Sequence, residues 1–266
     1  MPDALTLLEA AMILAAGFAA GAINAAVGSG SLITFPTLLA LGYPAVVANV
    51  TNTLGLVPGS VAGAWGYRRE LRGTWDVARP LVAASATGAL LGAVLLIAFP
   101  DAFGSVVPFL VGGAVVLVLV QPWISASARR HVRHSVEEYP RSAPRPTGSV
   151  VGPLLLLGVL LSGVYGGYFG AAQGVLLIGI LGLGLQVSLQ QVNAVKNVLA
   201  GTANLVSGIV YAIFADVAWD AAGLVAVGAI AGGLLGAGLA RRLPATALRA
   251  VVVVVGIVAL VMVLVS

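Results

Sequence analysis

No cysteine occurs in the 266 residues, so disulfides, thiolate metal sites, thiol catalysis and S-palmitoylation are all excluded. Charge is nearly as scarce: Asp, Glu, Lys and Arg together make up 8% of the chain, against 60% hydrophobic residues. A water-soluble domain of this size has too little core to hide that much apolar surface. Histidine is confined to His131 and His134, in a polar basic stretch. Their i, i+3 spacing suits a metal in principle, but a solvated basic loop is the simpler reading, and no metal or cofactor is expected. No Lys or Arg precedes the first apolar run, so that run reads as a retained helix and not as a secretory signal.

Apolar stretches fill the space that charge leaves. They run over Leu5 to Val27, Pro44 to Trp65, Val77 to Phe99, Phe103 to Trp123, Val150 to Phe169, Leu189 to Phe214, Ala218 to Ala240 and Ala245 to Val265. Each approaches or exceeds the roughly 20 residues that a bilayer crossing needs. The expected fold is an all-α polytopic membrane protein with no room for a second, soluble domain. The net charge of +4 would suggest nucleic acid in a soluble protein, but here the arginines sit between spans and record orientation. Lipid is the expected partner, nucleic acid is not, and the oligomeric state leaves no mark on the sequence.

Three connections hold all the arginines: Arg68, Arg69, Arg72 and Arg79; Arg129, Arg130, Arg133, Arg141 and Arg145; and Arg241, Arg242 and Arg249. The positive-inside rule makes these cytoplasmic. The other connections are acidic or neutral, with Asp101, Asp216 and Asp220, and Asp3 and Glu9 at the start, and belong outside with both termini. Traced through these assignments, the first half crosses an odd number of times, so the second half repeats its plan upside down. Repeats over 1–124 and 150–266 are therefore expected, joined by a cytoplasmic linker over 125–149 that is rich in Arg, Pro and Ser.

Local sequence divides the same way. Gly28-Ser29-Gly30-Ser31-Leu32-Ile33 precedes a short apolar piece and then Ala48-Asn49-Val50-Thr51-Asn52. Later, Gly170-Ala171-Ala172-Gln173-Gly174-Val175 precedes another short piece and then Asn193-Ala194-Val195-Lys196-Asn197. One uninterrupted helix over residues 5–42 would far exceed a ~30 Å hydrocarbon core, so the chain must break. Gly28 to Ser31 is the expected break, with Ser31 capping a short helix over Leu32 to Leu41. Gly170 to Gly174 is its counterpart, followed by a short helix over Val175 to Leu185. Matched broken helices in inverted halves point to a central binding site, and half-helix N-termini suit an anion there. Ser29, Ser31 and Gln173 are candidate side-chain donors.

Lys196 is the only lysine and the one charge deep within an apolar run. A helix starting near Ser188 places it about 12 Å into the bilayer at ~1.5 Å per residue. Asn193, Asn197 and Asn204 share its polar stripe, and Asn49, Asn52 and Thr53, with Thr51 adjacent, form the matching stripe of the first half. A charge at that depth costs at least ~2.5 kcal/mol and usually has a partner. No Asp or Glu lies deep in any span, which leaves a small oxyanion substrate as the candidate counter-ion. The plainer alternative has Lys196 snorkelling or bonding to backbone carbonyls.

The Gly-rich break, short helix and Thr-Asn pair of Gly28 to Asn52, followed by Gly66-Tyr67-Arg68-Arg69, resemble the sulfite exporter TauE/SafE family, also called the toluene sulfonate uptake permease family. Gly163 to Asn204 resembles that family's second repeat. The likeness covers nearly the whole chain in layout and about a third in motif. It implies a carrier in the bacterial cytoplasmic (inner) membrane for sulfur-containing anions such as sulfite, or organosulfonates such as sulfoacetate, working by export. Thr51 and Asn52 fit the family's Thr-Asn pair and Asn197 its counterpart, while the glycine runs are diluted here by Ser, Ala and Gln. A passive anion channel or a carrier of small carboxylates would use similar groups. An intramembrane enzyme would need a nucleophile with a base, or metal ligands, at membrane depth, and the sequence offers neither.

Overall fold

The computed structural model describes residues 5–26, 28–138, 151–185, 187–239 and 245–265. Among the described residues the chain is helical throughout, with no strand. The first half contains α1 (Leu7–Ala26), α2 (Ser31–Ala40), α3 (Ala45–Gly66), α4 (Trp75–Ala98) and α5 (Pro100–Glu138). The second contains α6 (Pro153–Tyr168), α7 (Gln173–Gly184), α8 (Leu189–Phe214), α9 (Trp219–Leu239) and α10 (Ala245–Val265). Among the described residues, α1, α3, α4, α5 and α8 are long and apolar enough to cross a bilayer. Exposed Leu, Val, Ile and Phe side chains cover their outer faces, the surface that lipid and not water would solvate.

The eight apolar runs coincide with α1, α3, α4, α5, α6, α8, α9 and α10, and the two short pieces with α2 and α7. Three details differ from expectation. Gly30, not Ser31, occupies the N-cap of α2, and no side chain caps that end. Gln173 and Gly174 belong to the first turn of α7, so the second break is shorter than Gly170 to Gly174. The polar segment after Trp123 continues α5 as helix to Glu138, which makes the start of the expected linker helical. Residues 139–149 of that linker, with Arg141 and Arg145, lie outside the described residues, as do Asp3, Arg241 and Arg242.

Both breaks end their helices alike. Gly28 donates its N–H five residues back to Ile23 at 3.2 Å, and Gly170 does the same to Tyr165 at 3.0 Å. Each adopts a positive φ, +86° and +78°, which glycine enters without steric cost. Ala172 also sits in the left-handed region, as the N-cap of α7. At the start of α8, Ser188 accepts from the N–H of Gln191 while the Gln191 side chain accepts from the N–H of Ser188, a complete capping box. Ser188→Ala is expected to destabilise the protein by about 1 kcal/mol, read as a small drop in unfolding temperature in detergent.

In hydrocarbon, helices associate by close packing and not by burying apolar surface. Here that packing runs through pairs of glycines four residues apart. On α1, Gly17 and Gly21 meet α9 at Gly228 and Gly232, and a Cβ on any of them would come within 2.7 Å of partner backbone. On α4, Gly88 and Gly92 meet α6 at Gly163 and Gly167 in the same manner. The two interfaces correspond: α1 and α6 each open a half, and each lies on the fourth helix of the opposite half. Likewise α3 packs on α9 and α8 on α4, α10 on α2 and α5 on α7, while α3 and α8 pack on each other. α3 and α8 thus stand at the junction of the halves.

Candidate functional site

The two breaks are in contact. Gly174 donates its N–H to the carbonyl of Gly28 at 3.1 Å, and a Cβ on Gly174 would lie 2.4 Å from the Cα of Gly28. Glycine at both positions is what lets the breaks of opposite halves cross. The crossing also uses up donors expected to be free. In the first turn of α7, Gln173, Gly174, Val175 and Leu176 direct their N–H groups to Gly170, Gly28 and Ala172. The N-terminus of α7 is therefore a joint between the halves and not an open anion cradle.

Lys196 lies fully buried on α8, and its ammonium donates to the carbonyl of Asn24 at 3.4 Å. Asn24 stands in the last turn of α1, where carbonyls lack helical partners and the helix end carries partial negative charge. The lysine thus meets the broken end of a helix from the opposite half, in line with the plainer alternative of a carbonyl partner. A reciprocal contact exists: the Asn49 side chain of α3 donates to the carbonyl of Tyr168, the last residue of α6, at 2.9 Å. The Tyr211 hydroxyl of α8 donates to the neighbouring Gly167 carbonyl. Each broken helix therefore ends on polar side chains from the third helix of the opposite half, and α6 on its own half's α8 as well.

A small cavity is lined by Asn24 of α1, whose carbonyl meets Lys196, with Gly59, Ser60 and Gly63 of α3, and Asn197 and Ala200 of α8. It has room for about one water molecule. Asn204 reaches across the same junction, its Nδ2 donating to Ser60 Oγ at 3.2 Å. Of the second-half candidates, then, Lys196, Asn197 and Asn204 converge on one region, and Asn193 sits one turn nearer the start of α8, half-buried. Asn24 and Ser60 were missed in sequence. Asn24 had a signal, since it is the only polar side chain between residues 10 and 26. Ser60 had none beyond its place among the small residues of α3.

The first-half candidates are engaged elsewhere. The Thr51 hydroxyl accepts from the N–H of Ala218 at 3.1 Å, just before α9. Asn52 accepts from the Thr34 hydroxyl of α2. Thr53 is buried on α3, Ser29 is buried in the first break and Ser31 is half-buried at the start of α2. Gln173 packs over Gly166 and donates to the Ser162 carbonyl at 3.1 Å, inside its own half.

Several of these side chains are buried without a complete set of partners. Asn52 and Asn197 each leave the amide nitrogen unpaired, Asn49 and Asn193 leave the amide oxygen, and Ser29 leaves its hydroxyl. Asn52 and Asn197 hold corresponding places in the two passages aligned above. Buried polar atoms are nearly always paired, since an unmet one costs about 1 to 3 kcal/mol. Along α3 and α8 the unpaired atoms thus include two amide nitrogens, which donate, and two amide oxygens, which accept.

The chain is similar to two named relatives over nearly its whole length. A probable membrane transporter protein of Haemophilus influenzae is 27% identical over 248 residues, covering 92% of this chain and 90% of the relative. The probable membrane transporter protein ORF9 of a Sinorhizobium species is 26% identical over 249 residues, covering 93% and 89%. No solved structure matches. The profile of the sulfite exporter TauE/SafE family matches residues 13–263. With that match, its polytopic helical fold and its transporter relatives, the chain belongs to the sulfite exporter TauE/SafE family of membrane transporters.

Proposed function

We propose that the protein exports small sulfur-containing anions, sulfite or organosulfonates, across the bacterial cytoplasmic membrane by alternating access around the cavity lined by Asn24, whose carbonyl meets Lys196. The observation that carries this reading is the cluster at the α1, α3 and α8 junction: a cavity lined by Asn24, Ser60 and Asn197, the last with an unpaired amide nitrogen, and a fully buried lysine whose ammonium meets the Asn24 carbonyl. Such donors converge naturally on the oxygens of a sulfite or sulfonate group. The family and its transporter-named relatives favour the same class. Two inverted halves, 1–124 and 150–266, would rock about the Gly28–Gly174 crossing, with the arginine-bearing connections in the cytoplasm and both termini outside. The exchange of packing partners between halves supports that symmetry.

In vesicles holding purified protein, sulfite flux should saturate with concentration and show counterflow, in which unlabelled substrate on one side drives labelled substrate in from the other. Flux that rises linearly without counterflow would indicate a channel. Asn197→Leu removes a donor that has no partner in the protein, so little stability should be lost. Flux at subsaturating substrate should fall about tenfold, equivalent to ~1.4 kcal/mol of lost binding. A variant that melts as the wild type and transports normally would remove Asn197 from the site.

A further inference from the structure

The charge inventory around the cavity bears on the valence of the substrate. Resting on the carrier reading above, we infer that the site accepts anions of a single negative charge and rejects dianions of the same size and shape. Lys196 supplies one positive charge, and the side chains that line the cavity are neutral: Asn24, Ser60 and Asn197. Among the described residues, the elements packed on α8 add no second cation at that depth. α3 and α7 carry no charged residue. α4 holds Asp76 and Arg79 within its first two turns, and α6 contributes only Tyr165 and Tyr168. α5 touches α8 as well, but its charges, Asp101 at one end and the residues from Arg129 onward at the other, flank the apolar length of the helix. On α1, whose carbonyl meets the lysine, Glu9 lies in the first turn, at the opposite end from Asn24.

A monoanion beside Lys196 makes the occupied site electrically neutral, and amide donors complete the shell of its oxygens. A dianion leaves one net negative charge at membrane depth, where an uncompensated charge costs at least ~2.5 kcal/mol. Neutral donors do not replace a second cation in a medium of low dielectric constant. Within the proposed class the site therefore favours hydrogensulfite and simple alkanesulfonates. It disfavours the sulfite dianion, sulfate, and sulfoacetate, whose carboxylate adds a second charge.

The test uses two molecules of nearly equal size. Methanesulfonate is a monoanion at every accessible pH, whereas methylphosphonate passes from monoanion to dianion near neutrality. Uptake of radiolabelled methanesulfonate is measured in vesicles of the full-length protein, with unlabelled methanesulfonate, methylphosphonate or sulfate as competitor, at about pH 6 and about pH 9. The potency of methylphosphonate relative to unlabelled methanesulfonate should fall on the order of 50-fold between the two pH values, and sulfate should compete poorly at both. The ratio cancels any change in the protein that acts on both ligands alike, and the comparison of sulfate with methanesulfonate at about pH 6 alone involves no change of pH. Methylphosphonate that keeps its relative potency at high pH, or sulfate that matches methanesulfonate, would overturn the valence rule and leave the carrier reading intact. Vesicles that show no protein-dependent uptake of methanesulfonate at either pH, nor of sulfite, would overturn both.

Discussion

Lys196→Ala is expected to cut anion flux about 100-fold while leaving the protein folded in the membrane. Truncating one partner of a buried, hydrogen-bonded charge pair typically costs about 2 to 5 kcal/mol, and the lower half of that range already gives the stated loss. The stability of the fold should behave differently. The wild-type lysine is fully buried, so its ammonium has given up its hydration, and the substitution removes that cost. It also deprives the Asn24 carbonyl of a donor, which the neighbouring cavity can repair by admitting water. The two effects oppose each other, so the unfolding temperature in detergent should move by only a few degrees. Lys196→Met, which fills the space with an apolar chain of similar length, separates charge from volume and should transport as poorly as the alanine variant. Wild-type flux in vesicles of either variant would show that Lys196 serves only to cap α1. Collapse of the protein on purification would assign it to folding.

The double origin of that prediction shows what the sequence carried and what it did not. Helix positions were legible because a span of hydrocarbon thickness demands an apolar run, and a run too long for the bilayer demands a break. Gly28 and Gly170 marked the breaks correctly, since positive φ and close approach both call for glycine. The address of Lys196 on a polar stripe of α8 was equally plain from its spacing with Asn197 and Asn204. What spacing along one chain does not give is the partner across the fold. The Asn24 carbonyl lies 172 residues away, and it accepts because α1 happens to end there. The same limit explains Thr51 and Asn52. Their place in a matching stripe was readable, but their engagement with Ala218 and Thr34 depends on how α9 and α2 dock. It also explains Gly174, which reads as part of a loop in sequence and stands in the first turn of α7 with its N–H held by Gly28 of the other break.

Gly174→Ala is expected to destabilise the protein by about 3 kcal/mol, the upper part of the range for an overpacked contact. A single methyl group is small, but here its Cβ would lie 2.4 Å from the Cα and 2.9 Å from the carbonyl oxygen of Gly28, both backbone atoms. No side chain can rotate out of the way, so one break must move away from the other. That movement also stretches the hydrogen bond from Gly174 to Gly28, a backbone link between the broken helices at their crossing. Helical propensity acts the other way, since alanine improves a helix by up to about 1 kcal/mol over glycine, and it is outweighed. Gly223→Ala serves as the control: it too sits in a helix, but a Cβ there meets nothing within 4 Å, and the variant should be as stable as wild type or slightly more so. The comparison is made by thermal unfolding of both variants in the same detergent. Equal melting of the two would mean that the breaks do not bear on each other in the folded protein. If Gly174→Ala alone melts early, its flux in vesicles becomes informative as well. Halves that rock about a shared backbone crossing should lose transport when that crossing is wedged apart, even at temperatures where the protein stays folded.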